Sequence, residues 1–253
     1  MINQLVETGD VDTSLLTAAS NELLKSGNKA AAQELLEQSI YLNSENSDDV
    51  ANQGIMKLKL NDLGTGIEML EKALTLDPNS EKAEAGLALG YLENQQFKQA
   101  LLIAKKWQTT EDKKIQGLLL EAEIANKQQD LDKVKELLND VLAIDRNNVP
   151  ALYKLALFYH SADEVDSAFG VYKKLLTIKS DHLRGIINFT RFVSTNPELL
   201  TQAINLYQTN IDKDQNDNYA KLGLAYVYRV ANNHKQAVEL LSQIMESEQP
   251  IEG

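Results

Sequence analysis

The sequence predicts an all-α fold of antiparallel helix pairs repeated in tandem. Three observations carry that prediction: a composition weighted toward helix formers, a period of about 34 residues, and small side chains at two fixed places in each period. Ala, Leu, Glu, Lys and Gln are abundant, whereas aromatic residues make up 6% of the chain and only four prolines occur. The first group favours helix, and aromatic and β-branched residues favour strand. A chain of 253 residues would ordinarily suggest one large globular domain or two small ones, but an internal period overrides that expectation.

With Asp77-Pro78-Asn79-Ser80 as a mark, steps of that length give blocks at 13–46, 47–80, 81–114, 115–148, 149–182, 183–217 and 218–251. Each block holds a small residue at its eighth position and, in most, another at its twentieth, where two helix backbones must approach closely. In the first block these are Ser20 and Ala32, with the breaker Ser26-Gly27-Asn28 between them. The second has Gly54 and Gly66 around Asn61-Asp62, and the third Ala88 and Ala100 around Asn94-Gln95, with Tyr91 completing Leu87-Ala88-x-x-Tyr. Ala122 and Val134 flank Gln129-Asp130 in the fourth; Ala156 and Ala168 flank Ala162-Asp163 in the fifth, where Tyr159 and Tyr172 take the aromatic places. The sixth block, Thr190 and Ala203, carries one extra residue near Asn196-Pro197. The seventh closes with Ala225, Asn232-Asn233 and Ala237, the last leading to Leu241 at the i, i+4 spacing of one helix face. Residues 1–12 continue the register backwards, with Ile2 and Leu5 at inward places, and are expected to be the remnant of a preceding repeat helix.

Composition also excludes classes of function. The net charge of −12 is spread along the chain, and an acidic field repels phosphate backbones, so no nucleic-acid partner is expected. With no cysteine, disulfides, thiolate metal sites and cysteine nucleophiles are ruled out. His160, His182 and His234 are far apart and show no metal-ligand spacing, so no metal is expected. Gly64-Thr65-Gly66 is a turn with the packing glycine of its block, not a phosphate loop. No cofactor and no catalytic residue are expected, nor any insertion into a membrane.

The pattern Leu-Ala-x-x-Tyr, Ala-x-x-x-Tyr and a terminal Pro resembles the tetratricopeptide-repeat signature, with residues 47–80 among the clearer matches and the register running over 13–251. The resemblance implies a right-handed superhelical solenoid of about seven repeats. Departures are Pro78 as the sole survivor of the family's proline, Trp107 where a small residue is usual, expected as a filler between repeats three and four, and Asn210, polar at the equivalent site of the sixth repeat.

In that family the first helices of successive repeats line a concave face, and ligand contacts come largely from unit positions 2, 5, 9, 12 and 13. Carried over, these offsets imply an apolar stretch with Ile55, Leu58, Leu89 and Leu92, and a later stretch with Tyr153, His160, Arg184, Asn188, Arg191, Tyr219, Tyr226 and Arg229. Tyr and Arg are the residue types of binding hot spots. Two readings of the arginines stand side by side: a site for acidic or carboxylate groups, or surface charges paired with nearby Asp and Glu. The Lys and Asn that chaperone-tail binders place at positions 5 and 9 are not reproduced, since Thr17 precedes Asn21.

The implied function is a scaffold, not an enzyme, holding a protein or peptide segment in the groove. The alternative is a structural or assembly component of a bacterial envelope or exopolysaccharide-related complex, acting through the array ends and convex face. The long, Asn/Gln/Lys-rich style is similar to multi-repeat bacterial lipoproteins of exopolysaccharide and protein-sorting systems. The segment reads as soluble, hence cytoplasmic by default, and periplasmic or lipoprotein-anchored if cut from a longer exported protein. With no polar capping helix after the seventh block the last apolar face would be bare, which implies either a segment of a longer array or self-association through an end.

Overall fold

The computed structural model describes residues 12–42 and 44–247. Among these residues the structure is all-helical, with fourteen α-helices and no strand. The chain divides into two compact units, Met1–Asp130 and Leu131–Gly253. The first contains α1 (Thr13–Lys25), α2 (Lys29–Tyr41), α3 (Ser47–Lys59), α4 (Leu63–Leu76), α5 (Glu81–Glu93), α6 (Phe97–Gln108) and α7 (Lys114–Lys127). The second contains α8 (Leu131–Ile144), α9 (Val149–Ser161), α10 (Val165–Ile178), α11 (Leu183–Thr195), α12 (Leu200–Lys213), α13 (Asn218–Val230) and α14 (His234–Met245). Residues 1–11, where a remnant helix is expected, lie outside the described residues; Asp12 is the N-cap of α1 and accepts from the Leu15 N–H.

In the first unit α1 packs against α2, α3 against α4 and α5 against α6; in the second α9 packs against α10 and α13 against α14. Within each unit successive odd-numbered helices also touch. The turn inside the pairs has one recurring solution. Gly27, Asn61, Gln95, Gln129, Asp163 and Asn232 all adopt positive φ, between 56° and 84°. The first five recur at the constant interval of the blocks, so the period of the sequence is a period of backbone conformation. At the first of these turns Gly27 N–H bonds the Leu24 carbonyl and Asn28 N–H the Leu23 carbonyl, the Schellman arrangement that satisfies carbonyls left over at a helix end. The same longer bond recurs from Asp62 to Lys57, Gln96 to Tyr91, Asp130 to Ala125, Glu164 to Tyr159 and Asn233 to Tyr228. The sixth pair breaks the pattern for a physical reason. Pro197 stands in this turn, and its ring locks φ at a negative value. The chain turns instead through a 3₁₀ segment, Pro197–Leu199, which uses the extra residue of that block.

The connections between pairs are also built alike. Asp77, Asp145 and Asp214 each accept the N–H two residues on, from Asn79, Asn147 and Asn216 at 2.9–3.0 Å. The next residue, Ser80, Asn148 or Asp217, caps the following helix by accepting an N–H of its first turn.

The small residues make the helix crossings possible. A Cβ on Gly54 would lie 3.0 Å from the Gly66 carbonyl oxygen, and one on Gly66 the same distance from that of Gly54. Ser20 adds a bond to steric smallness, its hydroxyl donating to the Ala32 carbonyl. The aromatic core lies in the second unit, where Tyr172, Phe189, Phe192 and Tyr207 are fully buried with neighbouring ring centroids 5.5–6.4 Å apart. Trp107 packs, as expected of a filler, against the cluster that joins Ala88, Leu92 and Ala104 to Leu120 and Ile124, and its indole N–H also donates to Glu84 on α5 at 2.7 Å, beside Lys106.

Candidate functional site

In the second unit α9 touches α11 and α11 touches α13, so these first helices form one wall. Asn188 on α11 joins two of them: its Nδ2 donates to Tyr153 Oη on α9 at 3.0 Å and to the Arg184 carbonyl at 2.9 Å. Tyr153 also stacks at a tilt on His182, centroids 4.8 Å apart. Further along α9, His160 points Nδ1 at the Tyr172 hydroxyl, 3.3 Å away, and its ring lies 5.1 Å from Phe192. Burial and the neighbouring Arg191 charge hold the His160 pKa below the ordinary imidazole value. On α13 the Arg229 guanidinium lies over the Tyr226 ring at 5.7 Å, and Tyr219 is half-buried against the aromatic core.

The structure thus brings together Tyr153, Arg184 and Asn188, then His160 and Arg191, then Tyr226 and Arg229. The guanidiniums of Arg184, Arg191 and Arg229 are on exposed residues, and among the described residues none pairs with a carboxylate. The ion pairs are made by lysines, as in Lys57 with Glu37, Lys105 with Glu121, and Lys127 with Glu93. All four arginines of the chain lie in the second unit.

In the first unit Ile55, Leu58 and Leu89 line a cavity of about 380 Å³ with Leu63, Ala85 and the backbones of Gly86 and Gly90, rimmed by Lys59, Lys82 and Glu93. The glycines are required there. A Cβ at Gly86 would fall 2.7 Å from Leu70 Cδ2, and one at Gly90 2.9 Å from Ile67 Cγ1. Leu89 is 56% exposed, whereas Leu92 is only 5% exposed and packs with Ala88, Ala100 and Ile124. The expectation for Leu92 is therefore corrected: the crossing of α5 with α6 and α7 covers it, and it is a core residue.

Two features escape the pattern of offsets. Lys135 Nζ sits 5.0 Å from the Tyr159 ring centroid, a cation–π contact on a helix outside the expected wall. His182 is the N-cap of α11, its Nδ1 accepting from the Gly185 N–H at 2.9 Å. The signal for the cap was present, since His182 stands where Ser80, Asn148 and Asp217 stand in other blocks. Only an unprotonated Nδ1 can accept, and burial lowers the His182 pKa, as it does that of His160. The folded chain then binds fewer protons than the unfolded one just below the ordinary histidine pKa of about 6.5. Stability from these groups is full above that value and falls with pH toward the lowered folded values. Thermal melts should show a lower Tm at pH 5.5 than at pH 7.5. His182→Asn, which keeps a cap acceptor that does not titrate, should flatten that slope; an unaltered slope would remove the cap as its origin.

Among the described residues no three His, Asp or Glu side chains are placed to hold a cation, and no helix is long and apolar enough to cross a membrane. Tandem helix pairs with an accessible wall of first helices define the class: a helical-repeat protein. Residues 51–80 match the tetratricopeptide-repeat family, and the described residues before and after them repeat the same helix-pair fold. A search of curated proteins finds no match. Among solved structures, yeast Tom70 superposes with a TM-score of 0.63 at 17% identity, over 98% of this chain and 54% of that one. The chain thus spans about half the length of Tom70. A tetratricopeptide-repeat protein of Thermus thermophilus, TTC0263, gives 0.55 at 18% identity over 72% of this chain and 98% of that one. The pilF protein of Pseudomonas aeruginosa gives 0.51 at 15% identity over 91% and 97%. At these identities the likeness is one of fold.

Proposed function

We propose that the protein is an interaction scaffold whose second unit holds an acidic, partly apolar peptide segment along α9, α11 and α13. One observation carries this reading: Arg184, Arg191 and Arg229 are exposed on adjacent first helices and, among the described residues, make no ion pair, whereas lysines make the ion pairs that are seen. Asn188 and Tyr226 hold two polar or aromatic surfaces beside them. A guanidinium without a carboxylate keeps its forked donors available for one, and such bonds are roughly twice as strong as neutral ones. A net charge of −12 disfavours nonspecific capture of an acidic ligand, so binding of one points to a local site.

The test is fluorescence anisotropy with a labelled peptide of alternating Glu and Leu. The triple change Arg184→Glu, Arg191→Glu and Arg229→Glu should weaken binding at least about thirtyfold, each single change about five- to tenfold, with strong salt dependence in the parent. Equal affinity of the parent and triple variant would overturn the reading. So would binding equally well to a peptide with Gln in place of Glu.

A further inference from the structure

The apolar cavity of the first unit adjoins a more polar one. The first, of about 380 Å³, lies between α3 and α5; the second, of about 250 Å³, lies between α1 and α3. Ile55 and Lys59 of α3 line both, so the two cavities meet across these side chains. Their walls differ in chemistry. Toward α5 they are hydrocarbon, with Leu58, Leu63, Ala85 and Leu89 beside Gly86 and Gly90. Toward α1 they include Ser14 and the carboxamides of Asn21 and Asn52.

Charge singles out one point where they meet. Lys82 pairs with Asp48 at 3.0 Å and Glu93 with Lys127 at 3.1 Å, so both of these rim charges are met within the protein. Lys59 differs. Its Nζ donates to the neutral Asn21 Oδ1 at 2.8 Å, and among the described residues it makes no ion pair. A cation without a carboxylate thus stands at the mouth of a hydrocarbon cavity. An apolar lining with a few placed polar groups is the general form of a small-ligand site.

The walls also exclude one class of occupant. Below the rim no side chain of the α5 cavity can donate or accept a hydrogen bond. A polypeptide laid there, whether a partner's or more of this chain, would bury N–H and C=O groups without partners. An unbranched hydrocarbon chain carries no such groups, and the lining is aliphatic throughout, with no aromatic ring.

We infer that this cavity binds a free straight-chain fatty acid, with the chain between α3 and α5 and the carboxylate on Lys59. The site lies in the first unit and does not rest on the arginine wall.

The probe is decanoate, titrated into the full chain and followed by calorimetry and by amide NMR shifts. Saturation in the micromolar range is expected, with shifts at Ile55, Ala85 and Leu89. From hexanoate to decanoate each added methylene should tighten binding about threefold. Decanol should bind about tenfold more weakly than decanoate, and Lys59→Gln should cost decanoate about the same factor while leaving decanol unaffected. Leu89→Glu, at a position 56% exposed, should abolish binding with Tm unchanged. Absence of binding, affinity independent of chain length, binding that survives Leu89→Glu, or a Lys59→Gln variant that treats acid and alcohol alike would overturn the inference. Displacement of decanoate by the Glu–Leu peptide would overturn it in favour of leucine side chains as the occupant. The arginine triple variant should bind decanoate as the parent does, so failure of this inference and failure of the peptide reading are read separately.

Discussion

Replacing Gly223 by Ala should destabilise the second unit by about 3 kcal/mol, at the upper end of what one extra methyl does in a packed core. The new Cβ would lie 2.2 Å from Cε1 and 2.3 Å from Cζ of Tyr207, where real carbon contacts begin above 3.0 Å. The ring has nowhere to go. Tyr207 is 1% exposed, with Phe189 against it at a centroid distance of 6.0 Å. Any shift of Tyr207 is therefore passed to Phe189 and on to Tyr172 and Phe192. Nor does the Tyr207 hydroxyl anchor the ring, since it is buried without a hydrogen-bond partner among the described residues. The three atoms nearest the new Cβ all belong to Tyr207, so the clash should be relieved by shrinking either side chain. Tyr207→Leu leaves a cavity and costs about 2–3 kcal/mol alone, but adding Gly223→Ala to it should cost little more. A double-mutant cycle with a coupling above about 1 kcal/mol confirms the contact, and strict additivity would refute it. The readout is urea unfolding followed by hydrogen exchange in α12 and α13, because Trp107 lies in the other unit.

Such contacts explain which parts of the fold were legible in the sequence. Small residues at positions 8 and 20 and polar breakers between them are local requirements, and a chain must meet them again in every repeat to keep making the same turn. Asn61, Gln95, Gln129, Asp163 and Asn232 could be read as turns for that reason, and they carry the positive φ. Pro197 marked the one turn that differs. What depends on contacts across elements was not legible from offsets. Leu92 satisfies the family's contact spacing as well as Leu89 does, yet α6 and α7 cover one and leave the other exposed. Trp107 reads as volume and does pack at that junction, but the bond of its indole N–H to Glu84, a partner 23 residues back, could not be read from offsets. The arginines were visible as residues, but whether they were paired depended on where every nearby carboxylate went. Lysines took them.

Ser39→Val should cost the first unit about 2 kcal/mol, whereas Ser39→Thr should cost less than half of that. The first helix pair meets α3 across a polar seam unlike the aliphatic contacts of the later pairs. Ser39 is fully buried. Its hydroxyl donates to the Thr13 carbonyl at 2.8 Å, accepts from Gln53 Nε2 at 2.8 Å, and lies 2.7 Å from the Thr17 hydroxyl. Gln53 and Thr17 are buried as well, at 2% and 4% exposure, so groups released by loss of the hydroxyl have no solvent to turn to. Val and Thr have nearly the same shape, and the difference between the two variants therefore isolates the hydroxyl from any effect of added volume. Equal destabilisation by both would mean that packing, not hydrogen bonding, governs this seam. The seam also sets the register of the junction. Sliding α3 along α1 and α2 by one turn would leave Gln53 and Ser39 unsatisfied, whereas an aliphatic interface would tolerate the slip. Hydrogen exchange should therefore accelerate first in α1 and α2 of Ser39→Val, while α4 to α6, held by Leu70, Ala73 and Ala104, stay protected.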